Sequence, residues 1–228
     1  MNASCAPALN VSRFMSGRQH PTLRYASYDH CFNYFQDLRE TNQIRSAASA
    51  ERSQLSCLHL GYYLASWGMF RGKAALLQHS SRALLPAVQL IVRAPEVVWD
   101  TDVETYDDSR IQALLDFRGE LREAVPGGRS GTLTSKIMLG VFGCVPAFDR
   151  FFCEGFGVSG FRRSALHEVR DYYSLHSAEI ERCRPLTIGF NGETTNRKYS
   201  QAKIIDMIFF VEGQDMATRR NSQRTKSR

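Results

Sequence analysis

The sequence predicts a mostly α fold, a single helical domain over residues 1–216 with at most a minor β element, and a basic, disordered tail over 217–228. Three observations lead there. Apolar residues recur at intervals of three and four along most of the chain from residue 46 onward, the spacing of a helix face. Neither repeated strand-like alternation nor a βαβ unit is present. A chain of 228 residues with a 43% hydrophobic fraction also has the size and apolar content of one globular core.

The elements follow in order. SAASAERSQLSCLHLGYYLASWGMF opens on small helix formers, carries Leu55, Leu58, Tyr62 and Ala65 at helical spacing, and ends at Gly68. GKAALLQHSSRALLPAVQLIVRAPEVV continues helically, with Pro86 forcing a break or a helix start and Pro95 a stop. DDSRIQALLDFRGELREAV is amphipathic, with Ile111, Leu114, Leu115 and Leu121 on one side, and VPGGRSG is a loop. Two helices come next, from Thr132 to about Gly143 and from Ala147 onward. A long charged helix, RRSALHEVRDYYSLHSAEIERC, turns Leu166, Val169, Tyr173 and Ile180 inward. RPLTIGFNGETTNRKYS is a polar loop with room for a short strand at LTIGF, and QAKIIDMIFFVEG closes the fold as an apolar helix.

Composition narrows the function classes. No apolar run approaches the roughly 18 residues that span a bilayer. The first twenty residues lack a basic region followed by an apolar one, so neither membrane insertion nor secretion is expected. Six cysteines (Cys5, Cys31, Cys57, Cys144, Cys153 and Cys183) are scattered without a CxxC pair. Reduced, buried thiols in a cytoplasmic protein are expected, with neither a metal nor another cofactor. The net charge of +6 is largely local. Of 29 Lys and Arg, five fall in the final ATRRNSQRTKSR, leaving 24 against 23 acidic residues elsewhere. Such a tail touches an anionic polymer without choosing a sequence, or keeps the chain soluble. HExxH, GxSxG and GxxxxGK[ST] motifs are absent, which removes metalloprotease, α/β-hydrolase and P-loop readings.

The stretch SKIMLGVFGCVPAFDRFF, residues 135–152, carries the candidate chemistry. Pro146 suits a first helical turn, which puts Asp149 among unpaired amides at the positive end of a helix. A carboxylate flanked by Phe148, Phe151 and Phe152 either caps that helix or lines the rim of an apolar pocket. A tight return after the preceding helix brings the Lys136 ammonium toward Asp149; otherwise Lys136 is an exposed head on a buried stem. In SWGMFRG, Trp67 and Arg71 share a face if the helix persists, a pairing able to stack a base or grip a phosphate. Arg150, Arg162 and Arg163 make the surface near Asp149 positive, and Asn191, Asn196, Arg197 and Lys198 lie in a polar loop. Asp206, inside KIIDMIFF, needs a buried cation, with Arg71 and Lys203 as candidates.

A lysine-bearing helix, a loop and then VPAFD at the next helix resembles the catalytic segment of the helix-hairpin-helix superfamily of DNA glycosylases. That resemblance implies that Asp149 stabilises the sugar cation, or activates water, as a base departs, and that Lys136 is a candidate attacking amine. The spacing from Lys136 to Asp149 is shorter than in that family, and the glycine-rich EGFGVSG follows the aspartate instead of preceding it. LASWGMFRGKAALLQ, TSKIMLGVFGCVPAFDRFF and KYSQAKIIDMIFF together resemble a poorly characterised group of bacterial proteins. This second likeness implies a phage-defence glycosylase that removes glucosylated hydroxymethylcytosine from viral DNA. The expected enzyme flips a modified base into a pocket rimmed by Trp67, Phe148 and Phe151, with Arg71, Arg150, Arg162, Arg163 and Asn191 on the DNA. The alternative is a non-catalytic helical module that binds nucleic acid or protein.

Overall fold

A computed structural model describes residues 6–16 and 19–226; Cys5 and the last two residues of the expected tail fall outside that range. The fold is mostly helical, with one small two-stranded sheet. Two helices that frame the site start at a residue whose side chain caps them. α6 (Asp108–Ala124) is capped by Asp107, which accepts from the Arg110 N–H at 2.7 Å, and α7 (Gly131–Val141) by Ser130. α9 (Arg163–Arg182) buries Leu166, Val169, Tyr173 and Ile180, the residues its period predicts.

α7 is the centre of the molecule, buried from Leu133 to Val141 and packed on α6, α2 (Ala26–Glu40) and α3 (Ser53–Ser66). The other buried rod is α10 (Gln201–Lys226), enclosed on all sides from Gln201 to Val211. α10 lies across α8 (Arg150–Phe156) and beside α1 (Pro7–Met15). The crossing is close because it is made of glycines: a Cβ on Gly155 would collide with the Phe209 carbonyl, and one on Gly213 with that of Phe151. The first amides of α10 are capped from a distance, the Asp102 carboxylate accepting from Gln201 N–H at 2.7 Å and Ala202 N–H at 3.0 Å. β1 (Leu186–Ile188) and β2 (Thr194–Lys198) form an antiparallel hairpin held on α2. There Asp29 accepts from Ile188 N–H at 3.0 Å and from the Tyr199 hydroxyl at 2.9 Å.

Four details depart from the sequence reading. The inward face of α3 is Cys57, Leu60, Tyr63 and Leu64, while Leu55, Leu58 and Tyr62 are 47%, 48% and 66% exposed. α3 carries two apolar stripes, and spacing alone does not choose between them. Residues 75–84 form two short 3₁₀ turns before α4 (Leu85–Ile91), which Pro86 opens. Pro95 precedes α5 (Glu96–Trp99). The expected disordered tail is helical as far as Lys226. No proline or glycine interrupts it after Gly213, and Arg220 pairs with Glu154 of α8. The free cysteines are mixed in burial: Cys31, Cys57 and Cys144 are buried, Cys153 and Cys183 partly so. No described helix is long and apolar enough to cross a membrane.

Candidate active site

The return between α7 and α8 is set by hydrogen bonds. Gly143, at φ +70, ends α7 in a left-handed turn. The Phe148 N–H then donates to Ser135 Oγ at 2.9 Å, and Thr132 Oγ1 donates to the Phe148 carbonyl at 2.9 Å. Two side chains of α7 thus clamp residue 148 and fix residue 149 opposite Lys136. Pro146 lies in the irregular return before the helix, so Asp149 is the N-cap of α8 and not part of its first turn. Its Oδ1 accepts from Phe152 N–H at 3.0 Å, and its Oδ2 lies 3.4 Å from Lys136 Nζ.

Behind this pair the charges continue inward. Lys136 is buried, and its Nζ donates to the Trp67 carbonyl at 2.8 Å. Lys203 and Asp206 pair at 2.9 Å, and Asp206 Oδ1 accepts from Ala147 N–H at 3.1 Å, tying the second pair to the same return. The cation for Asp206 is therefore Lys203 and not Arg71. Burial lowers the Lys136 pKa, against the upward pull of Asp149 and Asp206. Burial raises that of Asp206, with Asp149 adding to the rise and Lys203 opposing it. The four groups form one alternating cluster with its outer edge at Asp149.

The Asp149 side chain is 14% exposed, and that exposure opens on a cleft of about 480 Å³. Arg118, Arg150 and Arg162 line the cleft together with Phe148, Phe161 and Cys153. Phe148 and Phe161 stack with centroids 4.9 Å apart at 2°. The Arg118 guanidinium lies over the Phe161 ring, 4.7 Å from its centroid, and donates to the Phe161 carbonyl at 2.8 Å. Its buried Nε finds no acceptor among the described residues. Arg150 is paired with Glu154 at 2.9 Å, whereas the Arg162 side chain makes no ion pair among the described residues. The opening beside Asp149 is thus a polar, arginine-lined cleft, not the apolar pocket expected.

The sequence-derived residues separate into groups. Asp149, Phe148, Arg150 and Arg162 line the cleft, with Lys136 directly behind Asp149. Trp67 lies deeper, 6.2 Å from Phe14 and 6.0 Å from Phe210, with Lys203 Nζ 4.9 Å from its ring. Phe151 packs 5.3 Å from Phe210, so the ring wall of Trp67, Phe148 and Phe151 does not form around one opening. α3 ends before Trp67, and Gly68, at φ +86, turns the chain so that Arg71 folds back over it. Arg163 pairs with Asp108 at 3.9 Å, and Asn191 is exposed at the hairpin turn.

Arg118 and Phe161 also line the cleft, outside the set the sequence motifs point to. Arg118 did carry a signal: it completes the series Ile111, Leu114, Leu121 at helical spacing, a cation in a core register. Among the described residues no group of three or more His, Cys, Asp or Glu side chains is placed to hold a metal ion. No protein-family model matches the chain, and neither a curated protein nor a solved structure matches it.

Proposed function

We propose that this protein is a DNA glycosylase that excises a modified base by hydrolysis, with Asp149 as its catalytic carboxylate. One observation carries the reading: a helix-capping carboxylate fixed from behind by a buried lysine opens on a cleft whose other charges are three arginines. Breaking the bond between sugar and base sends the electron pair to the base and leaves cationic character at the sugar carbon. A fixed carboxylate stabilises that cation and orients a water; the water's oxygen bonds to the carbon and its proton leaves toward the departing base. Arginines around the same opening suit the flanking phosphates, whose contacts offset the few kcal/mol that flipping a base costs.

Lys136 is a positioning residue in this scheme. Its Nζ is held by the Trp67 carbonyl and Asp149 and does not line the cleft. The product is then an intact abasic site, without strand cleavage by an amine. The substrate we propose is phage DNA carrying glucosylated hydroxymethylcytosine, a role in antiviral defence; a wide, polar cleft leaves room for a sugar on the base.

A second reading has its own support. Both Asp149 oxygens already have partners, one in the helix cap and one at Lys136, as in a structural ion pair serving a non-catalytic nucleic-acid-binding module. One assay separates the two. The protein is incubated with duplexes containing cytosine, hydroxymethylcytosine or its glucosylated form, and aldehydic abasic sites are counted. The enzyme reading expects them on a modified duplex and a loss of at least about a hundredfold in Asp149→Asn. Binding without abasic sites on any duplex supports the module instead.

A further inference from the structure

A second, larger cleft, about 570 Å³, lies between α2, α3 and the β-hairpin, and none of its lining residues touches the Asp149 cleft. Its walls are rings. Tyr34 stacks on His59 with centroids 4.2 Å apart at 12°, and Phe190 leans on His30 at 5.3 Å. Phe190, at the hairpin turn, is 78% exposed, and a phenyl ring in water beside an open cleft contributes nothing to a core.

Charge in this cleft has the opposite sign to the first. Asp37, Glu40 and Glu193 face Arg197 as the one guanidinium among the lining residues. That guanidinium is used up internally, with Nη1 donating to Asn33, Nη2 to Asp37 and Glu40, and Nε to Glu40. It has little left for an anion. Glu193 has no ion-pair partner among the described residues, and its carboxylate lies over Gly189, next to Phe190. Burial holds both His30 and His59 below the ordinary histidine range, His30 adding to the effect on His59. Neutral imidazoles do not repel a cation.

From these walls and charges we infer that the cleft binds a small planar organic cation, its ring or amidinium plane against Phe190 and its charge on Glu193. Flat aromatic faces and the Glu193 carboxylate, the one left unpaired among the described lining residues, supply cation–π attraction and a charge-assisted hydrogen bond together at one opening. A neutral ligand of the same shape gains only the stacking.

Benzamidine is the probe, with benzamide as its uncharged equivalent, titrated into the full chain by calorimetry. Benzamidine is expected to bind at least about tenfold more tightly than benzamide. Glu193→Gln and Phe190→Ala are each expected to weaken benzamidine about fivefold or more, and Asp149→Asn to leave it unchanged. Both mutated side chains are solvent-exposed, so circular dichroism should show wild-type folding. Absence of binding, equal affinity for the two probes, or undiminished affinity in both cleft variants would overturn the assignment. None of these results depends on whether the protein cuts DNA.

Discussion

At the scale of single residues, burial decides how each charge behaves. Lys136 and Asp149 are largely out of water, so removing one partner strands the other. Truncating one half of such a pair costs on the order of 3–5 kcal/mol when both are fully buried. The partial exposure of Asp149 reduces this, and about 2–3 kcal/mol is expected for Lys136→Met. Urea unfolding should also show Lys136→Met with Asp149→Asn losing less than the two single losses combined; strict additivity would mean that the pair does not interact. Asp29 and Asp102 give a second test. Burial pushes each carboxyl from its ordinary 3.8 to about 6, against the hydrogen bonds each accepts. With the folded value above the unfolded one, the native state holds more protons between those limits. Each group's favourable contribution is therefore complete below about pH 4 and is lost as pH rises through about 6. Asn at position 29 keeps the acceptor for Ile188 N–H but does not titrate. The stability of Asp29→Asn relative to wild type should accordingly improve between pH 4 and pH 7, by up to about 2–3 kcal/mol. A difference that stays flat across that range would contradict the buried, ionising carboxylate.

At the scale of elements, the fold depends on two helices meeting backbone to backbone. Gly213 has no room for a methyl because α10 crosses α8 at the Phe151 carbonyl. Gly213→Ala should cost about 3 kcal/mol or more, since the obstacle is backbone and cannot rotate away. Gly119, on the exposed side of α6 with nothing within 4 Å of a built Cβ, should behave in the opposite way. Gly119→Ala is expected to stabilise by about 0.5–1 kcal/mol through helix propensity. Thermal melts of the two variants give opposite shifts if the crossing is as close as described. The same contrast shows what a sequence states and what it withholds. Pro146 and the apolar run before it marked the return that positions Asp149, and spacing marked α6, α9 and α10. Nothing local marks Gly213 as a crossing point, because its partner lies on another helix. β2 is TTNRK, with no apolar alternation to announce a strand, and α3 presents two apolar stripes of which tertiary packing buries only one. α2 carries no clear helical period: polar residues such as Asp29 and Asn33 interrupt its apolar face because they hold the hairpin.

At the scale of the whole molecule, charge is sorted, not merely in excess. Arginines collect around Asp149, carboxylates collect around Phe190, and a formal charge of +6 conceals both. The last turns of α10 join the first of these regions, because Glu154 bonds both Arg150 and Arg220. Basic residues expected on a free tail are thereby set on a helix beside the cleft. This arrangement makes a quantitative claim about binding. Each phosphate neutralised by a side chain contributes about −0.9 to the slope of log affinity against log salt on duplex DNA. If Arg118 and Arg162 each meet a phosphate, Arg118→Ala with Arg162→Ala should reduce that slope by about 2 and weaken modified and unmodified duplexes alike. Arg71→Ala, outside the cleft, should leave the slope within about half a unit of wild type. Fluorescence anisotropy between 50 and 200 mM salt measures both. An unchanged slope in the double variant would move the DNA away from Asp149, and with it the chemistry assigned to that carboxylate.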